Sequence, residues 1–200
     1  MKSAKLVLLS ACALLLAFGG TAMSQDQEMT PEQMAAMQES MKYMMPGENH
    51  KHLEYFVGKW NTTTKMWPAG PGSTPMESPG TSEIKWVVGN HFLMEEHNGT
   101  MMGMPYQGMG FTGFDAWRNM YATCWISNIQ TNLLTLTGQR DPSGKFTYYG
   151  ELDEPSLKVT GRMIKSVTTI KNPDQYVFEV FDLHAGDDYK VFEITYARVK

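Results

Sequence analysis

His91, Glu95 and His97 stand at even spacing, so on an extended strand their side chains fall on one face. Two imidazoles and a carboxylate are ligand types for zinc or iron, and they also make an acid–base set for proton transfer. The spacing matches no metal template. The preferred reading is therefore a Glu95–His97 polar pair at a rim, with His91 belonging to a turn. A second group lies near the C-terminus, where Glu179, Tyr196 and Arg198 are predicted to share a face. A buried carboxylate without a partner is costly and holds its proton, so Tyr196 or Arg198 is expected beside Glu179.

The elements that position these residues follow from periodicity. From Gly58 onward the apolar period is two, and Val, Ile, Thr, Phe, Tyr and Trp fill segments of strand length. Turn chemistry separates them at Gly89-Asn90, Asp141–Gly144, Asn172–Asp174 and Ala185–Asp188. About ten strands are predicted, with Pro68–Gly80 as a surface loop. No helix interrupts the series, so the sheet is expected to be an antiparallel up-and-down meander that closes into a barrel.

A hairpin centred on Gly89-Asn90 pairs Trp86 with Leu93, Ile84 with Glu95 and Ser82 with His97, which turns Glu95 and His97 inward. Centring the last hairpin on Gly186-Asp187 aligns Val177, Glu179, Phe181 and Leu183 with Tyr196, Ile194, Phe192 and Lys190 and puts Glu179 inside. A bulge in either hairpin would invert these faces.

Ahead of the strands, residues 25–47 read as a Met-rich amphipathic helix with Thr30 as N-cap, Pro31 first and Gln33 closing a capping box. Met34, Met37, Met41 and Met44 share one face. Thioethers hold Cu(I), so Met34, Met37 and Met41 are the candidates for a soft metal, but the spacing is that of a packing face or a lid. Met101, Met102, Met104 and Met109 add to the thioether content. A short helical stretch over Glu48–Val57 is expected to turn Leu53 and Phe56 inward.

Residues 1–24 read as a signal peptide: Lys2 and Lys5, an apolar run from Leu6 to Phe18, and Ala22 and Ser24 at a cleavage site. The exported chain is expected in the periplasm or outside the cell. The competing reading makes Cys12 a lipidated first residue that tethers the chain to a membrane. The formal charge is −4, two more negative without Lys2 and Lys5, which argues against nucleic acid. With Cys12 removed, Cys124 has no disulfide partner and reads as a small buried hydrophobe. Asn61 and Asn98 head glycosylation sequons.

The run His50–Trp60, with Gly58-Lys-Trp60 opening the first strand, looks like the Gly-x-Trp start of lipocalin-type barrels. Together with Met94–Pro105, Gly108, Gly113-Phe-Asp115 and Phe192–Tyr196, it resembles the bacterial domain-of-unknown-function (DUF) family 1579 over nearly the whole exported chain. The resemblance implies a lipocalin-like (calycin-like) barrel and supplies no activity. Ser127 stands where many relatives carry an aspartate, so no acid role transfers there.

No hydrolase, zinc-protease, phosphate-loop or dinucleotide signature occurs. Gly103, Gly108, Gly110 and Gly113 lie in strand context and read as bends or close backbone approaches. The sequence favours an all-β domain over 48–200 that binds a small amphipathic ligand, without a cofactor and without catalysis. Trp86, Ile84, Phe181, Phe192 and Ile194 would supply its apolar walls, and Glu95, His97, Glu179, Tyr196 and Arg198 its polar anchors. The alternatives are an acid–base enzyme, a copper-binding protein and an envelope protein that docks a partner.

Overall fold

The structure is a computed structural model that describes residues 29–200, so the leader, Cys12 and the first residues of the Met-rich segment lie outside it. Helix α1 (Pro31–Met44) starts on the expected capping box: Gln33 N donates to Thr30 Oγ1 at 3.2 Å and Thr30 N to Gln33 Oε1 at 2.9 Å. The stripe methionines Met34, Met37, Met41 and Met44 all lie on this helix. Helix α2 (Glu48–Lys51) and a 3₁₀ turn (Glu54–Phe56) follow, with Leu53 and Phe56 buried as expected.

Ten strands then run β1 (Gly58–Met66), β2 (Met76–Val87), β3 (Phe92–Met101), β4 (Met104–Asp115), β5 (Met120–Ser127), β6 (Leu134–Arg140), β7 (Phe146–Glu154), β8 (Val159–Asn172), β9 (Gln175–Asp182) and β10 (Lys190–Arg198). Each pairs antiparallel with its sequence neighbours, and β10 pairs with β1 to close the barrel. Closure leaves no long free edge to template aggregation. The irregular segment is shorter than expected, because β2 already starts at Met76. Pro79 is tolerated within it because the β2–β3 ladder ends at Gly80, leaving Pro79 paired to β1 alone.

Alternation decides what faces in. Outward positions carry cross-strand ion pairs, Lys65–Glu77 at 3.3 Å and Lys85–Glu96 at 3.3 Å. Most inward positions are apolar or aromatic, with Thr62, Ser82, His97, Ser166, Thr168 and Asp182 as buried polar members. Among the described residues no helix is long and apolar enough to cross a membrane.

One end of the barrel is plugged. Trp60 is fully buried, donates from Nε1 to Phe56 O at 2.8 Å, and meets Tyr176 edge-on at 4.8 Å. Phe56 packs edge-on against Phe146 and Tyr176. Arg198 lies over the Trp60 ring at 4.1 Å and donates to Val57 O and Tyr55 O at 2.8 and 2.7 Å. These contacts hold the α2 segment across the opening.

The β2–β3 hairpin has the expected register, with Ser82 opposite His97, Ile84 opposite Glu95 and Trp86 opposite Leu93. Its turn holds Val88 at φ +49°, in the left-handed region that a β-branched residue disfavours. The Val88 side chain is mostly exposed and contributes little packing. Val88→Gly is therefore expected to stabilise the barrel by about 1 kcal/mol in urea denaturation.

The last hairpin differs from expectation. A bulge between Lys190 and Phe192 shifts the pairing, so that Tyr196 faces Tyr176, Ile194 faces Phe178 and Phe192 faces Val180. A one-residue slip turns the whole strand over. Tyr176, Phe178 and Val180 take the interior, and Val177, Glu179 and Phe181 take the outside. The inward run ends in a carboxylate of its own, Asp182, which Arg162 holds at 2.6 Å.

His91 sits in the β2–β3 turn, as expected, and has a second role. Its Nδ1 lies 2.8 Å from Val88 O and its Nε2 2.8 Å from Met44 O. Carbonyls only accept, so both nitrogens must donate, which selects the imidazolium and raises the His91 pKa. The nearest titratable neighbour is the His50 ring, at 6.4 Å, whose own pKa is lowered by burial. A raised folded pKa means that this tie is complete below the ordinary histidine value and is lost as pH rises through the raised one. The protection of the Lys42–Met45 amides, taken relative to intrinsic exchange at each pH, is expected to fall as pH rises through the raised His91 pKa. His91→Gln should remove that pH dependence.

Candidate functional site

Around the plug the inward side chains Trp60, Leu93, Tyr121, Leu136, Phe146, Tyr148 and Tyr196 are buried, and on β8 and β9 the sealed stretch continues toward the other end through Ser166, Val180, Ile164 and Asp182. Toward the end opposite the plug, inward residues keep accessible surface. Thr64, Glu95, Tyr106, Trp125, Leu134, Leu152, Phe178, Phe192 and Ile194 are half-buried although they face the interior. Their exposed atoms describe a cup, plugged at one end and open at the other.

Glu95 forms its floor. Oε1 accepts from Ser82 Oγ at 2.7 Å and from Tyr196 Oη at 3.1 Å. Protein surrounds the carboxyl, and this burial raises its pKa against the opposing pull of the two donors. The residue as a whole is half-buried. Tyr196 is stacked on Tyr176 at 4.2 Å, and burial pushes both phenols well up.

His97 does not pair with Glu95. It is buried beside it, edge-on to Tyr106 at 5.8 Å, and its Nδ1 has no hydrogen-bond partner. Burial lowers its pKa and keeps it neutral. Thr62 Oγ1, Ser127 Oγ and Ser166 Oγ are likewise buried without a partner, and all face inward. Burial raises the pKa of Tyr106 beside them, against the opposing pull of the Trp125 donor. Such orphaned groups are uncommon in native interiors and are normally met by water or a bound molecule.

Trp125 and Tyr106 are wall residues that the sequence did not single out. A Cβ on Gly108 would meet Trp125 Cζ2 at 2.2 Å, and one on Gly110 would meet Cε3 at 2.5 Å. The indole thus lies flat along β4 in space that only glycine leaves, and Nε1 donates to Tyr106 Oη at 2.8 Å. Gly110 stands between Glu95 and Trp125 in the ladder, which brings the indole beside the floor carboxyl. The signal was the Gly-x-Gly pair at period two, readable only once the β4–β5 register was known.

Other expected site residues are elsewhere. Glu179 is on the outer face, where Lys190 Nζ reaches it at 2.9 Å and Glu193 at 2.6 Å, so it needs neither Tyr196 nor Arg198. Phe181, expected as a wall, is outside under Lys165. Trp86 faces in but sits at the plugged end, donating to Glu54 Oε2 at 2.6 Å. Arg198 belongs to the plug. Cys124 is half-buried on the outer face between Phe111 and Thr135, not in the core.

Among the described residues no group of three His, Cys, Asp or Glu side chains comes together as a metal site. Arg162, on the cup wall, is engaged by Asp182 at 2.6 Å. A shallow concavity of about 340 Å³ involves Glu96, Asn98, Gln107, Met109 and Ile126, whose side chains point outward. It lies outside the cup and holds none of the floor groups except the edge of His97.

Residues 45–198 match the family described as "Protein of unknown function (DUF1579)". No curated protein matches. Among solved structures, the S-type phycobiliprotein lyase from Guillardia theta is similar, with a TM-score of 0.51 and 12 % identity over 81 % of this chain and 97 % of that one. A de novo designed fluorescence-activating β-barrel gives 0.41 and 13 % over 73 % and 95 %. At these identities the likeness is one of fold.

Proposed function

This chain belongs to the DUF1579 family, and we propose that it is a binding protein, not an enzyme, which holds one small amphipathic molecule in the cup. The apolar body would lie against Trp125, Phe178, Phe192 and Ile194, and the polar end would rest on Glu95. One observation carries the reading: inward side chains toward the open end, Trp125, Leu134, Leu152, Phe192 and Ile194 among them, keep accessible surface around a carboxyl held by two interior hydroxyls. A few convergent polar groups in an apolar concavity are the usual composition of a small-molecule site. Export through residues 1–24 belongs to the same proposal, supported by Lys2, Lys5 and the apolar run from Leu6 to Phe18.

Titration with Nile red, an uncharged dye that brightens in apolar surroundings, tests it. Saturable one-to-one binding, with quenching of tryptophan emission from Trp125, is the expected result. A dye that stays dark in the presence of the folded barrel overturns the reading.

A further inference from the structure

The floor carboxyl is asymmetric. Both of its protein donors, Ser82 Oγ and Tyr196 Oη, converge on Oε1, and among the described residues no hydrogen bond reaches Oε2. No cation stands with it: Arg162 is held by Asp182, Arg198 is in the plug and Lys190 is on the outer face. A carbonyl oxygen offers two acceptor sites, both filled at Oε1, and a carboxylic acid then has its one proton to give from Oε2. An ionised Glu95 would instead carry charge on an oxygen that no protein donor among the described residues reaches. The neighbouring imidazole of His97 is neutral and adds no charge.

From Glu95 to Met101, the last residue of β3, the strand runs about 20 Å, or about 15 Å along the axis of a barrel with the usual tilt. We propose that the cup selects a neutral, elongated apolar molecule, up to about 15 Å long, whose terminal carbonyl or hydroxyl oxygen accepts a hydrogen bond from Glu95 Oε2. A carboxylate head would face a carboxyl with no cation at hand. An ammonium head would require the floor to ionise while held by only two neutral donors. This inference rests on the reading of the barrel as a binder and goes further by naming the class of ligand.

Calorimetry with decanol, decanoate and decylammonium on the exported chain tests it. Decanol is expected to bind at least about tenfold more tightly than either ion. Glu95→Gln separates the donor from the titration, because the amide oxygen still accepts from Ser82 and Tyr196 while the amide nitrogen donates at every pH. Wild-type affinity for decanol should fall as pH rises through the raised pKa of Glu95, and the Gln variant should be flat. The wild-type pH profile decides the matter even if Glu95→Gln folds poorly.

Preference for decylammonium, lost in Glu95→Gln, overturns the inference and leaves the barrel a binder that uses an ionised anchor. Preference for decanoate, or Nile red binding without decanol binding, overturns it as well. If neither the three probes nor Nile red binds, the binding reading itself falls.

Discussion

Trp60→Ala is expected to cost about 3–5 kcal/mol in urea denaturation, a large share of the stability of a domain of this size. The side chain is fully buried, so the full loss of packing applies. The indole also carries three dependants. Tyr176 packs on its face, Phe56 O accepts its N–H, and the Arg198 guanidinium rests on the ring. Truncation leaves a cavity next to a carbonyl and a cation that have lost their partner. Arg198→Lys isolates part of this effect at about 1–3 kcal/mol, because an ammonium cannot bond Val57 O and Tyr55 O in parallel while stacking on Trp60. Both changes lie in the plug, so Nile red affinity of the folded fraction should be nearly unchanged.

Ile194→Trp should do the opposite, abolishing binding while sparing the fold. Ile194 faces the cup, opposite Phe178 on β9 and Thr64 on β1, and is only half-buried. An indole there extends into accessible space, so overpacking should cost less than about 1.5 kcal/mol. The same indole occupies the volume above Glu95 that a ligand body needs. Affinity for Nile red is expected to drop about a hundredfold, near 3 kcal/mol. A variant that binds the dye as the parent does would move the site out of the cup.

The two hairpins show what periodicity can and cannot settle. The β2–β3 hairpin was legible because Gly89-Asn90 fixes the turn and Ile84, Trp86 and Leu93 agree on one face. That placed Ser82, Glu95 and His97 inside, in the observed pairing. The β9–β10 hairpin has a longer connection, and its bulge at Val191 leaves no mark in the residue types. Both faces of β9 are apolar enough to compete, so one extra residue decided Glu179. Arg198 looked like a partner for an acid, whereas its planar fork matches two carbonyls and a ring, a geometry that only the folded plug creates. The partners of Glu95 come from β2 and β10, and the second of these, Tyr196, is invisible to any local motif.

The most direct test of the central claim is a native mass spectrum of residues 25–200, purified without detergent and recorded before and after extraction with organic solvent. One small adduct per chain is predicted, removed by extraction, restored by incubation with the extract, and absent from Ile194→Trp. A spectrum with the same unliganded mass throughout, and no uptake from the extract, would contradict a cup built to hold a ligand.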